Sequence, residues 1–418
     1  MEFRFIHAAD LHLDSPLHGL ERYEGAPVEA IRSATRQAFE ALVELAIERE
    51  VSLVLLAGDI YDGDWKDFST GLYLVKQLKR LGDAGIEVCL ISGNHDAQSQ
   101  MTKRLPWPDN VCSLSVRKPE TRLYEGLKVA VHGQGFVRRE VTDDLTEHYP
   151  TALPGYLNIG LLHTSLDGKP GHAPYAPCTV EGLRRIGYDY WALGHVHQRE
   201  IVSTDPWIVY PGNIQGRHIR ETGPKGCTLV TVRDGRISDV SEEVLDVLRW
   251  AALTVDAGGI SDRDVLEEAV ITAVTAAMDE AAGRLLACRV RLEGATDLHA
   301  WLVDAREEFE ASLRARLSGE AVWLQRAELA TQLPLSTAGR DEAAAGLLAY
   351  VQSLHEDGAQ RDSLLAGVAA ELKLPRDIAV DDEQDLTHPE NLPDAQKNKL
   401  LDDALALILN RLGKGAQA

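Results

Sequence analysis

The sequence predicts an α/β protein: a four-layer α-β-β-α sandwich, followed by a smaller α+β domain and a helical C-terminal segment. Three observations support this prediction. Apolar runs typical of buried strands alternate with amphipathic helical stretches over the opening part of the chain. Short strands punctuated by Gly and Pro follow, and they indicate a second sheet facing the first. A strand–helix–strand–helix–strand pattern that begins near Arg249 then predicts a separate compact domain.

The sandwich is predicted to occupy residues 1–245. In its first part, the strands are Phe3–His7, Ser52–Ala57 and Glu87–Ser92, and the helices between them are Pro27–Glu50 and residues 69–84. The later strands are Leu127–His132, Leu157–His163, Tyr188–Leu193, Trp207–Tyr210 and Cys227–Val232. Together these strands are enough for two sheets with helices on their outer faces.

Two further regions are predicted after the sandwich. Residues 246–333 form a βαβαβ domain with strands at Ala252–Val255, Cys288–Leu292 and Ala321–Glu328 and helices at Asp262–Ala281 and Leu298–Leu317. Residues 334–418 are helical and acidic, with a loose linker around Asp381 and Pro389. A last helix, Pro393–Leu412, has one apolar face. That face either docks on a partner or folds back on its own domain.

Length and charge limit the classes of function. A chain of 418 residues is too long for one ordinary core, so two or three domains are expected. The net charge of −22 argues against an extended basic surface that coats DNA. Residues 1–245 have a balance of −8 and residues 246–418 a balance of −14. The second half is therefore expected to meet protein rather than nucleic acid.

Cysteine usage and the absence of long apolar runs bear on the compartment. The five cysteines are widely spaced and form no Cys-x-x-Cys pair, so neither a disulfide framework nor a structural zinc site is predicted. The N-terminus runs directly into the first strand, and no stretch reaches the roughly 20 apolar residues that span a bilayer. The sequence thus predicts a cytoplasmic protein without membrane contact.

Five short polar motifs in the first half of the chain are the strongest functional signal. Each follows an apolar run typical of a buried strand, and ligands bind at the carboxyl ends of strands in α/β sheets. The motifs are Asp10-Leu11-His12, Gly58-Asp59-Ile60-Tyr61-Asp62, Gly93-Asn94-His95-Asp96, His163, and Gly194-His195-Val196-His197. Each motif alone has an ordinary explanation, such as a surface turn or a core histidine. Together, in this order, they predict a two-metal site.

Two divalent cations a few ångströms apart clamp a phosphate, with a bridging hydroxide placed for in-line attack on phosphorus. Asp59 is the natural carboxylate to bridge both ions, because it follows a strand and a glycine that permits a tight turn. Asp10 and His12 point the same way because they are two residues apart in extended chain, and His195 and His197 repeat that spacing. Imidazole, carboxylate and amide donors favour Mn²⁺, Fe²⁺ or Zn²⁺ over Mg²⁺.

The order of these motifs resembles that of the calcineurin-like metallophosphoesterases. Within that family the chain looks most like the SbcD-type DNA repair nucleases, and especially their bacterial YhaO-like branch. The finer likeness lies in residues 7–14, 57–65, 161–165, 210–213, 216–218 and 221–227. The resemblance implies a metallophosphoesterase sandwich, with the second domain as a cap over a DNA groove.

The resemblance also implies a role for each site residue. One metal ion would be held by Asp10, His12, Asp59 and His197, and the other by Asp59, Asn94, His163 and His195. His95 would assist the leaving oxygen as a general acid rather than bind metal, and Asp62 would favour its protonated form. Some relatives carry a histidine where Asp62 stands, so their proton arrangement does not transfer to this chain. Manganese is the metal expected first.

The implied partners are DNA, a second copy of the chain and an SMC-like ABC ATPase of the SbcC or YhaN type. The sequence has no Gly-x-x-x-x-Gly-Lys-Ser/Thr loop, so ATP use would come from that partner. A basic patch of Arg217, His218, Arg220 and Lys225 contacts either nucleic-acid phosphates or solvent.

Three functions follow from this sequence. The first is a two-metal DNA exonuclease or endonuclease in DNA repair. The alternative is a small-molecule or nucleotide phosphodiesterase or phosphatase, which fits the negative charge but would not need roughly the last 170 residues. A catalytically idle scaffold ranks last, because every expected ligand position is filled.

Overall fold

The computed structural model describes residues 2–15, 25–62, 68–98, 106–166, 175–334, 342–371 and 392–415. The chain divides into two compact units. The first comprises Met1–Ala251 with Ala281–Ala287, and the second comprises Ala252–Glu280 with Cys288–Ala418. The three-way division at residues 245 and 333 remains a prediction.

The first unit begins with alternating strands and helices and continues mainly as strands. In chain order its elements are β1 (Glu2–Ala8), α1 (Val28–Glu48), β2 (Leu53–Ala57), α2 (Phe68–Asp83), β3 (Glu87–Ile91), β4 (Val111–Ser113), β5 (Glu120–Tyr124), β6 (Val129–Gly133), β7 (Leu157–His163), α3 (Val180–Ile186), β8 (Tyr190–Gly194), β9 (Glu200–Thr204), β10 (Trp207–Tyr210), β11 (Gly226–Arg233) and β12 (Arg236–Val244). They form two six-stranded sheets, in the orders β12-β11-β1-β2-β3-β4 and β5-β6-β7-β8-β10-β9.

Apolar cores hold the layers of this unit together. Phe5 of the first sheet and Ile159 of the second belong to one apolar core that includes residues of both sheets. Phe39 belongs to the core that packs α1 and α2 on the first sheet. Leu183 and Trp191 belong to the core that packs α3 on the second sheet. The predicted four-layer α/β sandwich is therefore confirmed.

The strands that precede the polar motifs run parallel within each sheet. β1, β2 and β3 are parallel neighbours in the first sheet, and β6, β7 and β8 are parallel neighbours in the second. Parallel neighbours end at the same edge of a sheet, so the loops that follow them lie side by side. This topology places the five motifs where they can converge.

The sequence prediction missed the strands at the sheet edges. β4 and β12 are the edges of the first sheet, and β5 and β9 are the edges of the second. Their side chains are mostly exposed or half-buried, so their sequences lack the apolar runs that marked the central strands. The short helix α3 was missed as well.

A three-stranded sheet with helices makes up much of the second unit, although residues 248–251 and 285–287 of its strands are grouped with the first unit. Its sheet has the order β13 (Leu248–Asp256), β14 (Leu285–Ala295) and β15 (Val322–Gln332), and α4 (Arg263–Glu280) lies between the first two strands in sequence. The single helix predicted at Leu298–Leu317 is wrong. It is divided into α5 (His299–Asp304) and α6 (Arg306–Arg316), because Ala305, with φ −120° and ψ 30°, leaves the helical conformation.

The last helices of the second unit pack on one another. These are α7 (Glu342–Glu356), α8 (Gly358–Glu371) and α9 (Asp394–Gly415). Leu401 and Leu405 of α9 are buried against Leu354 and Leu365, whereas Ile408 is exposed. The predicted apolar face of α9 is thus partly used within its own unit. The predicted linker around Asp381 lies outside the described residues. In the described part of the chain, no helix has the length and apolarity to cross a membrane.

Candidate metal centre

The residues of the five motifs meet at the carboxyl ends of strands from both sheets of the first unit. Asp10 and His12 follow β1, Asp59 and Asp62 follow β2, Asn94 and His95 follow β3, His163 ends β7, and His195 and His197 follow β8. Most of these side chains are buried, so their polar atoms depend on one another rather than on water.

The backbone takes an unusual conformation at the motif residues. Asp10, His12, Asp59 and His195 have φ angles of 53°, 43°, 51° and 100°. Non-glycine residues rarely adopt this left-handed conformation, which costs on the order of 1–3 kcal/mol per residue and is concentrated at functional sites. Asp10 N donates to Gly58 O at 3.0 Å, and His12 N donates to Asp59 O at 3.0 Å, so the loops after β1 and β2 are held together.

The loops after β2 and β3 are also joined, and the joint fixes Asp59. Asp59 Oδ1 accepts from His95 N at 2.9 Å, and a Cβ on Gly93 would lie 2.3 Å from that same oxygen. The buried Asp96 carboxylate accepts from Gly93 N and from Tyr61 N, each at 2.9 Å. Burial raises the pKa of Asp96 to about 6. Asp96 is therefore a structural carboxylate behind the site.

One group of candidate ligands consists of Asp10, His12 and His197, whose ligand atoms lie within 4.8 Å of one another. The Nε2 atoms of His12 and His197 are 3.2 Å apart, and Asp10 Oδ1 is 3.9 Å from His197 Nε2. Asp59 Oδ2 is 3.9 Å from His12 Nε2.

A second group consists of Asp10, Asp59 and His163. His163 Nε2 is 3.4 Å from Asp59 Oδ2 and 2.9 Å from Asn94 Oδ1. Asp10 belongs to both groups, and Asp59 lies within 4 Å of a histidine from each. The two groups are therefore neighbours that share carboxylates.

His195 lies beside the second group rather than in it. Its ring centroid is 5.2 Å from that of His163 and 5.4 Å from that of Tyr175, and its backbone N donates to Asp10 Oδ1 and Oδ2 at 3.1 and 3.0 Å. Among the described residues, the His195 ring joins none of the groups whose ligand atoms lie within 4.8 Å. The ligand role of His195 remains a prediction.

The hydrogen bonds of two imidazoles show that the centre suits a metal ion. His163 Nδ1 is 2.9 Å from Ala57 O, and His197 Nδ1 is 2.7 Å from Glu221 Oε1. Carbonyl and carboxylate oxygens only accept, so each Nδ1 carries a proton. Once Nε2 loses its proton, each ring would offer a lone pair at that atom to a metal ion in the centre. The Nε2 atom of His163 faces the carboxylate of Asp59, and donors arranged in this way fit a shared cation.

The crowding of charged groups shifts their pKa values. Burial by itself would raise the pKa of Asp59, but His163 and the other nearby histidines hold it far below its usual range. Burial by itself would lower the pKa of His163, but the facing Asp59 carboxylate raises it to about 9. The pKa of Asp10 is raised by burial. A divalent cation between these side chains would replace the proton that now balances their charge.

His95 lies next to the ligand groups and is paired with Asp62. Its Nδ1 is 2.7 Å from Asp62 Oδ1, and 30% of its side chain is exposed. Burial by itself would lower the pKa of His95, but the hydrogen bond that His95 donates to Asp62 and the charge of Asp59 raise it. His95, Asp62 and His12 also lie within metal-binding distance of one another. The hydrogen bond between His95 and Asp62 accounts for their closeness without an ion.

Several contacts around the metal centre could not be predicted from the sequence. Glu221 accepts from His197, and no pattern in one sequence connects residues 24 positions apart. Arg217 binds Asp62 and Glu221, with Nη–O distances of 3.3 and 3.2 Å.

Lys225 of the predicted basic patch also binds a protein group. Its Nζ donates to His197 O at 2.9 Å, and its pKa is lowered by burial. Arg217 and Lys225 were predicted to face phosphates or solvent; both instead bind protein groups, because buried carboxylates and carbonyls surround them.

Comparison with known proteins identifies the family. Residues 3–199 match the profile of the calcineurin-like phosphoesterases, and residues 250–332 match that of the middle domain of the metallophosphoesterase YhaO. Residues 3–199, which hold all five metal-centre motifs, belong to the calcineurin-like phosphoesterase family. Enzymes of this family hydrolyse phosphoesters with divalent metal ions. The family assignment made from the motifs is therefore confirmed.

Several known proteins are similar to this chain in sequence. The chain is 39% identical to the metallophosphoesterase YhaO of Bacillus subtilis over 259 residues, which cover 61% of this chain and 63% of the relative. It is 28% identical to the DNA double-strand break repair protein Mre11 of Methanopyrus kandleri over 255 residues, which cover 56% of this chain and 51% of the relative. The alignments thus span about half to two thirds of these relatives.

Among solved structures, a dimetal phosphatase from Danio rerio aligns with 56% of this chain and 93% of its own length. The sequence identity is 12% and the TM-score is 0.35. A score this low adds nothing to the assignment made from sequence.

Proposed function

We propose that this chain is a two-metal-dependent DNA nuclease that hydrolyses phosphodiester bonds in DNA repair. The observation that carries the proposal is the pair of neighbouring ligand groups around Asp10 and Asp59, with His95 beside them. The similarity to a relative named as a DNA double-strand break repair protein supports DNA as the substrate.

Seven side chains would bind the metal ions. Asp10, His12, Asp59 and His197 would hold one ion, and Asp59, Asn94, His163 and His195 the other. We propose manganese, because the donors combine imidazole, carboxylate and amide. When bound, the metal pair supplies an activated water for in-line attack on phosphorus and neutralises charge on the phosphate oxygens.

His95 would donate a proton to the departing oxygen. Asp62 occupies its Nδ1, so Nε2 is the ring nitrogen that remains for substrate. Asp62 also stabilises the charged ring, which keeps the acid loaded before the P–O bond breaks. The proton then moves from His95 Nε2 to the leaving oxygen of the cleaved strand, and a negative alkoxide does not have to form.

The remaining parts of the proposal concern assembly. The domain that matches the middle domain of YhaO would cap the DNA groove. A second copy of the chain and an SMC-like ABC ATPase of the SbcC or YhaN type would complete a cytoplasmic complex. The exposed Leu400 and Ile408 of α9 support that helix as the docking element for the ATPase.

One observation favours a small-molecule or nucleotide phosphodiesterase as the second candidate. Arg217 and Lys225, two cations of the predicted basic patch, are bound to protein groups, and the chain carries a net charge of −22. A long polyanion needs more phosphate contacts than a short ester does.

The test is digestion of end-labelled single- and double-stranded DNA with Mn²⁺, in parallel with turnover of bis(p-nitrophenyl) phosphate. The nuclease proposal predicts that wild type degrades DNA and that Asp59→Asn and His95→Ala lose this activity. Turnover of the small ester without DNA degradation would favour the second candidate. Turnover of neither substrate would contradict both.

A further inference from the structure

Arg217 lies between two carboxylates that serve different histidines of the centre. Its Nη1 is 3.3 Å from Asp62 Oδ2, and its Nη2 is 3.2 Å from Glu221 Oε1. Only 13% of its side chain is exposed. Ser15 Oγ donates a further hydrogen bond to Asp62 Oδ2. The guanidinium is thus part of the interior of the site.

Each of the two carboxylates orients at least one imidazole. Asp62 Oδ1 is 2.7 Å from His95 Nδ1 and 3.7 Å from His12 Nδ1. Glu221 Oε1 is 2.7 Å from His197 Nδ1. The outer partners of His95 and His197 therefore meet at one arginine, and one of them, Asp62, also lies near His12.

The second oxygen of Glu221 shows how firmly this carboxylate is held. Glu221 Oε2 accepts from Arg217 N at 2.7 Å and from Asn213 Nδ2 at 3.0 Å. Glu221 thus accepts hydrogen bonds from both the backbone N and the guanidinium of Arg217. A carboxylate fixed at both oxygens fixes in turn the ring that donates to it.

The shape of the arginine side chain matters for this arrangement. Two largely buried carboxylates repel each other unless a cation lies between them. The planar guanidinium presents donors along separate edges, so it can bind two carboxylates at once, whereas a lysine ammonium acts as a point charge.

We propose that Arg217 is a positioning residue of the metal centre, which holds Asp62 and Glu221 and through them aims His95 and His197. This inference rests on the proposed two-metal centre. It assigns to Arg217 no contact with the substrate. The alternative, that Arg217 binds a substrate phosphate, is a separate outcome of the test.

The test is titration of the full-length protein with Mn²⁺, followed by isothermal calorimetry, for wild type, Arg217→Met and Arg217→Lys. Loss of an outer partner lowers metal affinity by about 10–100-fold. Arg217→Met is expected to weaken one of the two Mn²⁺ binding events by about that factor. The Mn²⁺ affinity of Arg217→Lys is expected to lie between those of Arg217→Met and wild type. Lysine keeps the positive charge but lacks the forked guanidinium that binds two carboxylates. The control is Arg185→Met, which makes the same charge change at an exposed residue on α3. It should leave the affinity of both Mn²⁺ binding events unchanged.

A double-mutant cycle separates positioning from a general loss of stability. If Arg217 acts through Glu221, then Arg217→Met adds little to the loss of Mn²⁺ affinity already caused by Glu221→Gln. Additive losses would overturn the proposed route. If Arg217→Met does not fold, the cycle is made with Arg217→Lys, and wild-type affinity in that variant would overturn the requirement for a fork.

Two further results would also contradict the inference. Unchanged Mn²⁺ binding in Arg217→Met would exclude the positioning role. Unchanged Mn²⁺ binding with a raised KM for DNA would instead make Arg217 a substrate ligand. Failure of the proposed two-metal centre has a different signature, because wild type itself would then bind no pair of Mn²⁺ ions.

Discussion

At the scale of single residues, the centre depends on carboxylates that orient imidazoles. Asp62 and Glu221 each accept a hydrogen bond of 2.7 Å from the Nδ1 of a histidine, which leaves the Nε2 of that ring for a metal ion or a substrate. The side chain of His95 is more exposed than that of His197, and this exposure fits a group that contacts substrate.

The role of Asp62 can be tested with leaving groups of different basicity. Asp62→Asn removes the charge that stabilises the protonated His95, so hydrolysis of a dinucleotide phosphodiester should slow by about 10–100-fold. Hydrolysis of bis(p-nitrophenyl) phosphate should change little, because p-nitrophenolate departs without a proton. The measurement is kcat for both esters at saturating Mn²⁺. Equal losses on the two esters would contradict the acid role.

His7 supports a prediction for pH dependence. This buried histidine contacts Tyr190 Oη at 3.0 Å and Leu193 O at 3.1 Å, so it joins β1 of one sheet to β8 of the other. Burial lowers its pKa to about 3, despite the opposing effect of the hydrogen bond that His7 donates to Leu193 O. The unfolded chain therefore binds more protons between pH 6.5 and 3, and the stability provided by neutral His7 is present above pH 6.5 and lost as the pH falls.

The matched comparison is wild type with His7→Gln, which cannot titrate. Between pH 7 and pH 5 the free energy of unfolding of wild type should fall by about 2 kcal/mol more than that of the variant. Urea unfolding at both pH values measures the difference. Identical pH dependence in the two proteins would show that His7 does not stay neutral in the folded state.

Single-residue roles were predictable only where a motif marked them. Asp10, His12, Asp59 and His95 follow apolar strands in a recognisable order, so the sequence indicated a shared site. Glu221 and Arg217 have no such marker. After β10 the chain passes close to the loops that carry the motif residues, and this brings Glu221 to His197 and Arg217 to Asp62. Only the tertiary structure shows this proximity.

At the scale of elements, the site depends on parallel strands that lie side by side in a sheet. Gly160 on β7 permits close packing against Trp191 on β8, because a Cβ at this position would lie 2.3 Å from Trp191 Cε3. Trp191 is fully buried and stacks near Tyr188, so it has no room to move away. β7 and β8 carry His163 and His195 at their ends, so a shift between these strands would displace both histidines.

Gly160→Ala should therefore destabilise the protein by about 1–3 kcal/mol through overpacking. Gly126→Ala is the control, since a Cβ there meets no atom within 4 Å and the glycine does not have a left-handed φ. Chemical denaturation of both variants measures the effect. A Gly160→Ala protein as stable as the control would show that the contact between β7 and Trp191 adjusts freely.

The central elements were predictable and the edge elements were not, for one physical reason. β2 and β3 are buried on both faces, so their sequences are continuous apolar runs. β12 is an edge strand with mostly polar, exposed side chains, and such a sequence is not distinguishable from a loop. The break at Ala305 was missed because alanine favours helices, and only its observed backbone angles reveal the interruption.

At the scale of the whole molecule, charge and chemistry are distributed unequally. The described metal-centre residues all belong to the first compact unit. Residues 246–418 hold the larger share of the net negative charge of the chain. This distribution agrees with a proposal in which the second unit contacts protein partners. It also means that the first unit carries the whole proposed reaction.

The central claim is that the first unit binds two metal ions around Asp59. The most direct measurement is the number of Mn²⁺ ions bound per chain, by equilibrium dialysis and elemental analysis, in wild type and in Asp59→Asn. We predict two ions for wild type, and at most one tightly bound ion with loss of phosphodiester hydrolysis for Asp59→Asn. A wild-type protein that binds fewer than two ions while hydrolysing phosphodiesters, or an Asp59→Asn protein that keeps both ions and full activity, would contradict it.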